Sequence, residues 1–570
     1  WRKFALRLNS MKRASHRRTS IFLAPWLHVL LLTSCIGGSG ALSKEEATDP
    51  DTSILVQRPA PLDDRPNILY IVLDQWRWDW AGYDPGTGIS APSLRALANE
   101  GTRFDHAYSP APLCVPSRCA FAAGRSALST WVTDNGMNFL PALGPTYMQL
   151  LQRVGYRTMI AGKDHLTDAD GVGIDGTNQA LAIGYDVERR TNDKYENMQH
   201  LGPIDPYGKS LHSLGLFGAQ KTCYEGMGAG LCCNSTPVCQ TTAPWLARLE
   251  VQECGFLCNE TSLVDEEHDV DTWTMTRAKE LIQEHHAGKH ASEPWYMSVG
   301  FPSPHPPFIL SPSMSRRARQ RLYPGAADPG DLDPSTVLQA RQSYGALVEK
   351  LDGLIGQLLD FLNASGLREN TLVMVTADHG EHLGDHGHFA KASAWDVATR
   401  VPLVVSGPGI ARNRLVNAPV ETLDLVGTML DYAGAELAAG METRSLKPFL
   451  TVADPELPRQ YVRVGLLSRA EGSNFSSIVR QFNASSTLKL VCCPAQERCI
   501  KGGSLLPPSD PREPVAALMR IGLAAPGDLE NVLGTGQGCP EALDLVAHIP
   551  PVHRDSCESA LRTLCPSQEA

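Results

Sequence analysis

Two stretches of this chain are apolar almost without interruption, and each runs into an acid: "NILYIVLD" at 67–74 and "TLVMVTADHGE" at 371–381. A strand with one face in water alternates apolar and polar residues. An unbroken run is the mark of a strand buried on both faces, which is the habit of parallel sheets. Parallel neighbours need a crossover, usually helical. The chain supplies candidates. "PTYMQLLQRVGYRTMIAGKDH" reads as helix, Gly155, strand and then polar residues, and "EPWYMSVGFPSPHPPF" reads as another strand with His305 after it. "SYGALVEKLDGLIGQLLDFLNASG" sets Tyr344, Leu347, Val348, Leu351, Leu354, Ile355, Leu358, Leu359 and Leu362 on a 3.6-residue period, a helix. Repeated helix–strand alternation predicts an α/β fold with a large, mostly parallel sheet sandwiched by helices. In such folds ligands bind beyond the carboxyl ends of the strands. Asp74, Lys163, His305 and Asp378 each follow an expected strand, so they should converge in space.

With 570 residues there is room for one large domain and a smaller one. The rhythm holds from about 60 to 435, where "VETLDLVGTMLDYAGA" closes it. It breaks at 208–265, a Gly- and Cys-rich stretch that reads as a disulfide-stapled insertion. From 440 to 570 the periodicity thins and Pro increases, which suggests a smaller α+β C-terminal domain. Residues 1–45 read as a targeting segment: Lys12, Arg13, Arg17 and Arg18 precede the run "IFLAPWLHVLLLTSCIGG". That run is short for a span and contains Pro25 and His28, so a cleaved signal is favoured over an anchor. Its ending, "LTSC" at Cys35, also resembles a lipoprotein signal. No later stretch is long and apolar enough to cross a bilayer.

Of fifteen cysteines, six crowd 223–258 and six 492–565, irregularly spaced. In a secretory context this favours disulfides over a zinc site. Five sequons, at Asn234, Asn259, Asn363, Asn474 and Asn483, suit a secreted glycoprotein. The net charge of -11 argues against a general affinity for nucleic acid.

The residues expected to converge form a chemical set. Asp74, Gln75, Asp378 and His379 offer mainly oxygen ligands and one imidazole, which suits a hard divalent cation better than a zinc cage. Arg118, Lys163 and Lys391 add three cations, and His165 and His305 add proton carriers. A metal ion among Lys and Arg is built for a small dense anion such as sulfate or phosphate. Cys114 opens "CVPSRCAFAAGR", where Pro116 suits the first turn of a helix, so residue 114 should sit at a helix N-terminus. Other readings stay open for single residues. Cys114 could pair with Cys119, His305 could be a loop histidine, Lys163 and Lys391 could be surface charges, and Gln75 could stop short of the ion. His382, Asp385, His386 and His388 read as structural or peripheral.

"CVPSRCAFAAGR" resembles the signature of the sulfatase family, in which the Cys of C-x-P-S-R is oxidised to formylglycine. "VLDQ", "AGKDHL", "SPHPPF" and "ADHGEHLGDHGHFAK" followed by "RVPLVV" are similar to the family's other motifs and stand in its order, from about Asn67 to Ala433. There are departures. Sulfatases usually carry two acids where this chain has Asp74-Gln75. The Asp-Gln form with Asp378-His379 resembles choline sulfatases and phosphonate monoester hydrolases of the same alkaline phosphatase superfamily. "AAGR" replaces the usual Thr-Gly-Arg ending.

The resemblance implies an alkaline phosphatase-like fold and a sulfuric ester hydrolase. It implies one divalent cation, Ca2+ first with Mn2+ or Mg2+ as alternatives, held by Asp74, Gln75, Asp378, His379 and residue 114. Residue 114, converted by a formylglycine-generating enzyme, would attack sulfur as its hydrate. Arg118, Lys163 and Lys391 would hold the sulfate oxygens. His305 with Lys391 would protonate the leaving alcohol, and His165 would take the proton that lets sulfate leave. The substrate would be a sulfated small molecule or glycan, met outside the cell, in a lysosome-type compartment or in a bacterial periplasm. The alternatives are a phosphonate monoester or phosphodiester hydrolase, or an inactive homologue that only binds.

Overall fold

Every residue of β1 (Asn67–Asp74) is buried, as an unbroken apolar run requires of a strand with neighbours on both edges and layers on both faces. The computed structural model describes residues 65–83, 88–139, 141–167, 179–191, 194, 205–219, 262 and 264–452. In the C-terminal region it describes 461–468, 473–483, 486–493, 515–522 and 529–531. The expected leader, most of the cysteine-rich stretch and most of the second cysteine cluster lie outside these residues. None of the described helices is long and apolar enough to cross a membrane.

The other strands of the main sheet are β2 (Thr102–Tyr108), β3 (Arg157–Gly162), β4 (Val187–Arg190), β5 (Trp295–Pro304), β6 (Thr371–Ala377), β7 (Arg400–Ser406), β8 (Arg414–Val416) and β9 (Val420–Glu421). Their order is β4-β3-β5-β1-β6-β7-β2-β8, with β9 also on β2. All pairings are parallel except those of β7, which runs against β6 and β2. The expected mostly parallel sheet is therefore present, with one reversed strand. β3, β5, β1 and β6 are adjacent and parallel, so Lys163, His305, Asp74 and Asp378 emerge from one edge of the sheet.

Helices cover the sheet. α1 (Pro92–Glu100), α4 (Val270–Ala287) and α5 (Pro334–Ala364) pack with one another and against β3, β5 and β7. α2 (Cys114–Ala123), α3 (Tyr147–Arg153) and α6 (Asp424–Ala433) form another group. Ring contacts Tyr70–Phe121, Phe121–Tyr147 and Tyr147–Tyr296, with centroids 4.9, 5.4 and 5.5 Å apart, tie that group to β1 and β5. α5 starts at Pro334, well before the periodic run at Ser343. The Asp333 side chain accepts from Thr336 N, and Pro334 occupies the first turn, where its missing N–H costs nothing.

A second sheet follows in the chain: β10 (Val462–Ser468), β11 (Ser473–Asn483), β12 (Ser486–Cys493), β13 (Val515–Gly522) and β14 (Leu529–Asn531), antiparallel throughout. Val462, Val464, Leu466, Phe475, Val479 and Val491 share a core with Tyr108, Leu113, Ala392 and Ala394. This sheet therefore backs the segments that lead into Cys114 and out of Lys391. Lys489 crosses between the sheets, 2.9 Å from Asp396 Oδ1 and 2.7 Å from Thr399 Oγ1.

Candidate active site

α2 begins at Cys114, after Leu113 in an extended conformation (φ -155°). Pro116 lies in the first turn, as expected, and Arg118 follows one turn later on the face of Cys114. Gly124 ends the helix in the left-handed region at φ 63°, the usual task of a C-terminal glycine. Cys114 and Cys119 are both buried free thiols. Five residues apart on a helix they face about 140° apart, so the disulfide reading fails.

Four side chains from three elements gather: Asp74, Cys114, Asp378 and His379, one ligand atom of each within 4.8 Å of every other. Cys114 Sγ lies 3.1 Å from His379 Nε2, 3.7 Å from Asp74 Oδ1 and 2.9 Å from Lys391 Nζ. Lys163 Nζ is 2.6 Å from Asp74 Oδ2. Arg118 donates through Nε to Asp378 Oδ2 at 2.8 Å and through Nη2 to Asp74 Oδ2 at 3.3 Å. Asp378 Oδ1 accepts from the backbone N–H of Gln75 and of His379, at 3.0 and 2.9 Å. Gln75, at φ 67°, accepts through Oε1 from Lys391 Nζ at 2.7 Å.

Two glycines permit this convergence. A Cβ on Gly300 of β5 would stand 1.9 Å from Lys163 O, and one on Gly162 would stand 2.1 Å from Gly300 O. Only bare backbone lets β3 turn Lys163 inward there.

The charges suit the donor set. Burial acts to raise the pKa of Asp74, but Lys163, then His305, Arg118 and Lys391, hold it well below the ordinary carboxylate value. Burial and Asp74 oppose ionisation of Asp378, yet His379, Arg118 and Lys391 keep it low too. Burial lowers His379 to about 4 against the pull of Asp378, leaving a neutral imidazole at neutral pH. Two carboxylates and a neutral imidazole are the protonation states a metal requires of its ligands, so these residues fit a divalent cation. Burial, with Asp74, pushes the Cys114 thiol up to about 12 despite Lys391 and Lys163. A plain cysteine here stays protonated, and a thiol is a poor nucleophile.

His305, half-buried after β5, acts electrostatically on Asp74, and its carbonyl accepts from Lys194 Nζ at 2.7 Å. His165 follows Lys163 in the left-handed region at φ 54° and is half-buried. Sequence reasoning passed over Glu381, buried behind Gln75, and Ser117, whose hydroxyl donates to Asp378 O at 2.7 Å. Both stand inside quoted motifs, but nothing in their spacing marks a partner. Asp385 bridges Arg77 and Arg341, and Arg77 Nη1 donates to His382 O at 2.9 Å, which clamps the loop after β6 to α5.

A sequence model of the sulfatase family matches residues 66–435, more than half of the chain. A choline-sulfatase from Rhizobium meliloti (strain 1021) is 28% identical over 405 residues, covering 65% of this chain and 68% of that protein. Among solved structures, a phosphonate monoester hydrolase from Silicibacter pomeroyi superposes with a TM-score of 0.59 at 20% identity, over 85% of this chain and 94% of that one. A protein bound to its substrate D-glucosamine-2-N,6-O-disulfate gives 0.60 at 18% identity, over 89% and 100%. These likenesses establish the alkaline phosphatase-like fold. Since the family match runs from the start of β1 through α6 and takes in every residue of the cluster around Cys114, the chain belongs to the sulfatase family and is a hydrolase of that type.

Proposed function

We propose that this protein hydrolyses sulfate esters, with residue 114 as formylglycine and a divalent cation held by Asp74, Asp378, His379 and residue 114. The observation that carries the reading is the setting of Cys114. Its thiol is held protonated by burial, yet it lies among Lys391, His379 and Asp74 at 2.9–3.7 Å. A cysteine kept from ionising at the centre of a ligand set is better explained as a precursor than as a nucleophile. Oxygen-rich donors favour Ca2+. Gln75 adds a neutral oxygen at the edge of the set, which keeps Mn2+ and Mg2+ as alternatives.

Bound there, the cation would lower the pKa of a hydroxyl while the hydrated aldehyde offers one hydroxyl to attack and a second through which sulfate is expelled. The chain's own residues do the rest. Arg118, Lys163 and Lys391 bind the sulfate oxygens and neutralise charge as it shifts. His305, with Lys391, gives a proton to the leaving alcohol oxygen, and His165 receives the proton of the second hydroxyl. In this reading residues 60–435 carry catalysis and 440–570 shape access. Conversion of Cys114 falls to a formylglycine-generating enzyme in the secretory pathway. The substrate, a sulfated small molecule or glycan, is met outside the cell or in a lysosome-type compartment.

A second reading rests on Gln75 and His379, the pair that resembles phosphonate monoester hydrolases. A phosphonate monoester carries one negative charge, as a sulfate monoester does, so charge does not separate those two; a phosphate monoester carries about two near neutral pH, and charge alone would favour it in this pocket. The test compares kcat/KM for a matched aryl sulfate, aryl phosphate and aryl phosphonate monoester on protein verified to carry formylglycine. The proposal expects sulfate to lead. A phosphorus ester leading by more than about tenfold, about 1.4 kcal/mol, promotes the second reading.

A further inference from the structure

Glu381 is fully buried, and the hydrogen bonds around it are all donated to it. Oε1 accepts from the backbone N–H of Leu383 at 3.0 Å and of Ala390 at 2.6 Å. Oε2 accepts from Gln75 Nε2. The other end of the Gln75 amide faces Lys391 Nζ at 2.7 Å. An ammonium can only donate, so the amide must turn its oxygen to Lys391 and its NH2 to Glu381. The loop so pinned is under backbone strain: Leu383, His386, Ala390 and Ala392 all have φ between 51° and 67°. The row Glu381–Gln75–Lys391–Cys114 therefore runs from a buried carboxyl group that accepts on both oxygens to the reacting residue.

We propose that Glu381 is a positioning residue that forms one unit with Gln75, fixing the amide oxygen toward the cation site. This rests on the cation reading of the site. It also gives a physical reason for a neutral residue at 75, since a carboxylate there would be buried against the carboxylate of Glu381.

The hydrogen-bond pattern makes a sharp demand on substitutions. In Glu381→Gln, the amide oxygen at 381 must still accept from Leu383 and Ala390. Its NH2 then meets the NH2 of Gln75, and if Gln75 flips to escape, its NH2 meets Lys391. In Gln75→Glu, two buried carboxylates oppose each other. In the exchanged double variant Gln75→Glu/Glu381→Gln every donor again meets an acceptor and the net charge is unchanged.

The test is a double-mutant cycle on the full chain, read as the melting temperature of metal-free protein and as Ca2+ affinity by calorimetry. Each single variant is expected to melt below the parent and to bind Ca2+ about 10–100-fold more weakly, the usual effect of disturbing a ligand's support. The exchanged double is expected to recover most of both losses. Glu381→Gln behaving like the parent, or a double whose losses add, would overturn the proposal. The melting cycle uses metal-free protein, so it tests the Glu381–Gln75 unit whether or not the cation reading holds. If Glu381→Gln does not fold, Gln75→Glu compared with the double variant decides the same question.

Discussion

Lys391 Nζ stands 2.9 Å from Cys114 Sγ and 2.7 Å from Gln75 Oε1, so one ammonium joins the loop after β6 to the start of α2 and the end of β1. Burial acts to discharge it, while the neighbouring carboxylates of Asp74 and Asp378 favour its charged form. Lys391→Met keeps the stem and removes the charge. We expect kcat for an aryl sulfate to fall by about 10²–10³-fold, the scale of losing one preorganised donor, with the circular dichroism spectrum unchanged. A fall of less than threefold would remove Lys391 from the machinery.

Asp378 holds Arg118 through Nε and accepts two backbone N–H groups. Asp378→Ala takes away a proposed cation ligand and leaves Arg118, among the described residues, with Asp74 as its ion-pair partner. We expect Ca2+ binding and turnover to be lost together, and stability to fall by about 3–5 kcal/mol, as when one partner of a buried pair is removed. Calorimetric titration and urea unfolding measure the two effects. Unchanged metal binding would contradict the ligand assignment.

The second sheet is tied to the first by Lys489 and Asp396 at 2.9 Å, with Tyr108 OH donating to Asp396 Oδ2 at 3.1 Å. Burial opposes ionisation of Asp396, but Lys489 and then Arg400 hold its pKa below the usual value. Its stabilising contribution is therefore full above the unfolded carboxylate pKa of about 3.9 and lost as pH falls through the lower folded value. Lys489→Met is expected to cost about 3–5 kcal/mol at pH 7 by stranding the Asp396 charge. The difference from the parent should shrink as the pH drops through the carboxylate range and Asp396 takes up a proton. Urea unfolding at pH 7 and pH 4 tests this, and a difference that grows in acid would contradict it.

Much of this was legible in the sequence because it follows from local pattern. Unbroken apolar runs marked β1 and β6, and the polar residues directly after them had nowhere to go but the carboxyl edge of the sheet. The reversal of β7 was not legible, because "RVPLVV" is as apolar as its parallel neighbours and direction leaves no mark on composition. The early start of α5 was written in Asp333-Pro334, a cap signal outside the periodic window. Glu381 was overlooked for another reason. Its role depends on which way a neighbouring amide points, and that is decided by Lys391, ten residues away in the chain and on the other side of Gln75. The same holds for Lys489, whose partners Asp396 and Thr399 lie in the short helical turn just before β7.

The central claim is that Cys114 is a precursor, and the mass of one peptide tests it most directly. Trypsin releases residues 104–118, "FDHAYSPAPLCVPSR", from protein made in cells able to mature sulfatases. The account predicts a peptide about 18 Da lighter than the encoded one, since sulfur is replaced by oxygen and two hydrogens are lost in forming the aldehyde. Aryl sulfate turnover should rise in proportion to the lighter fraction. Fully active protein in which residue 114 is entirely unmodified cysteine would contradict the account.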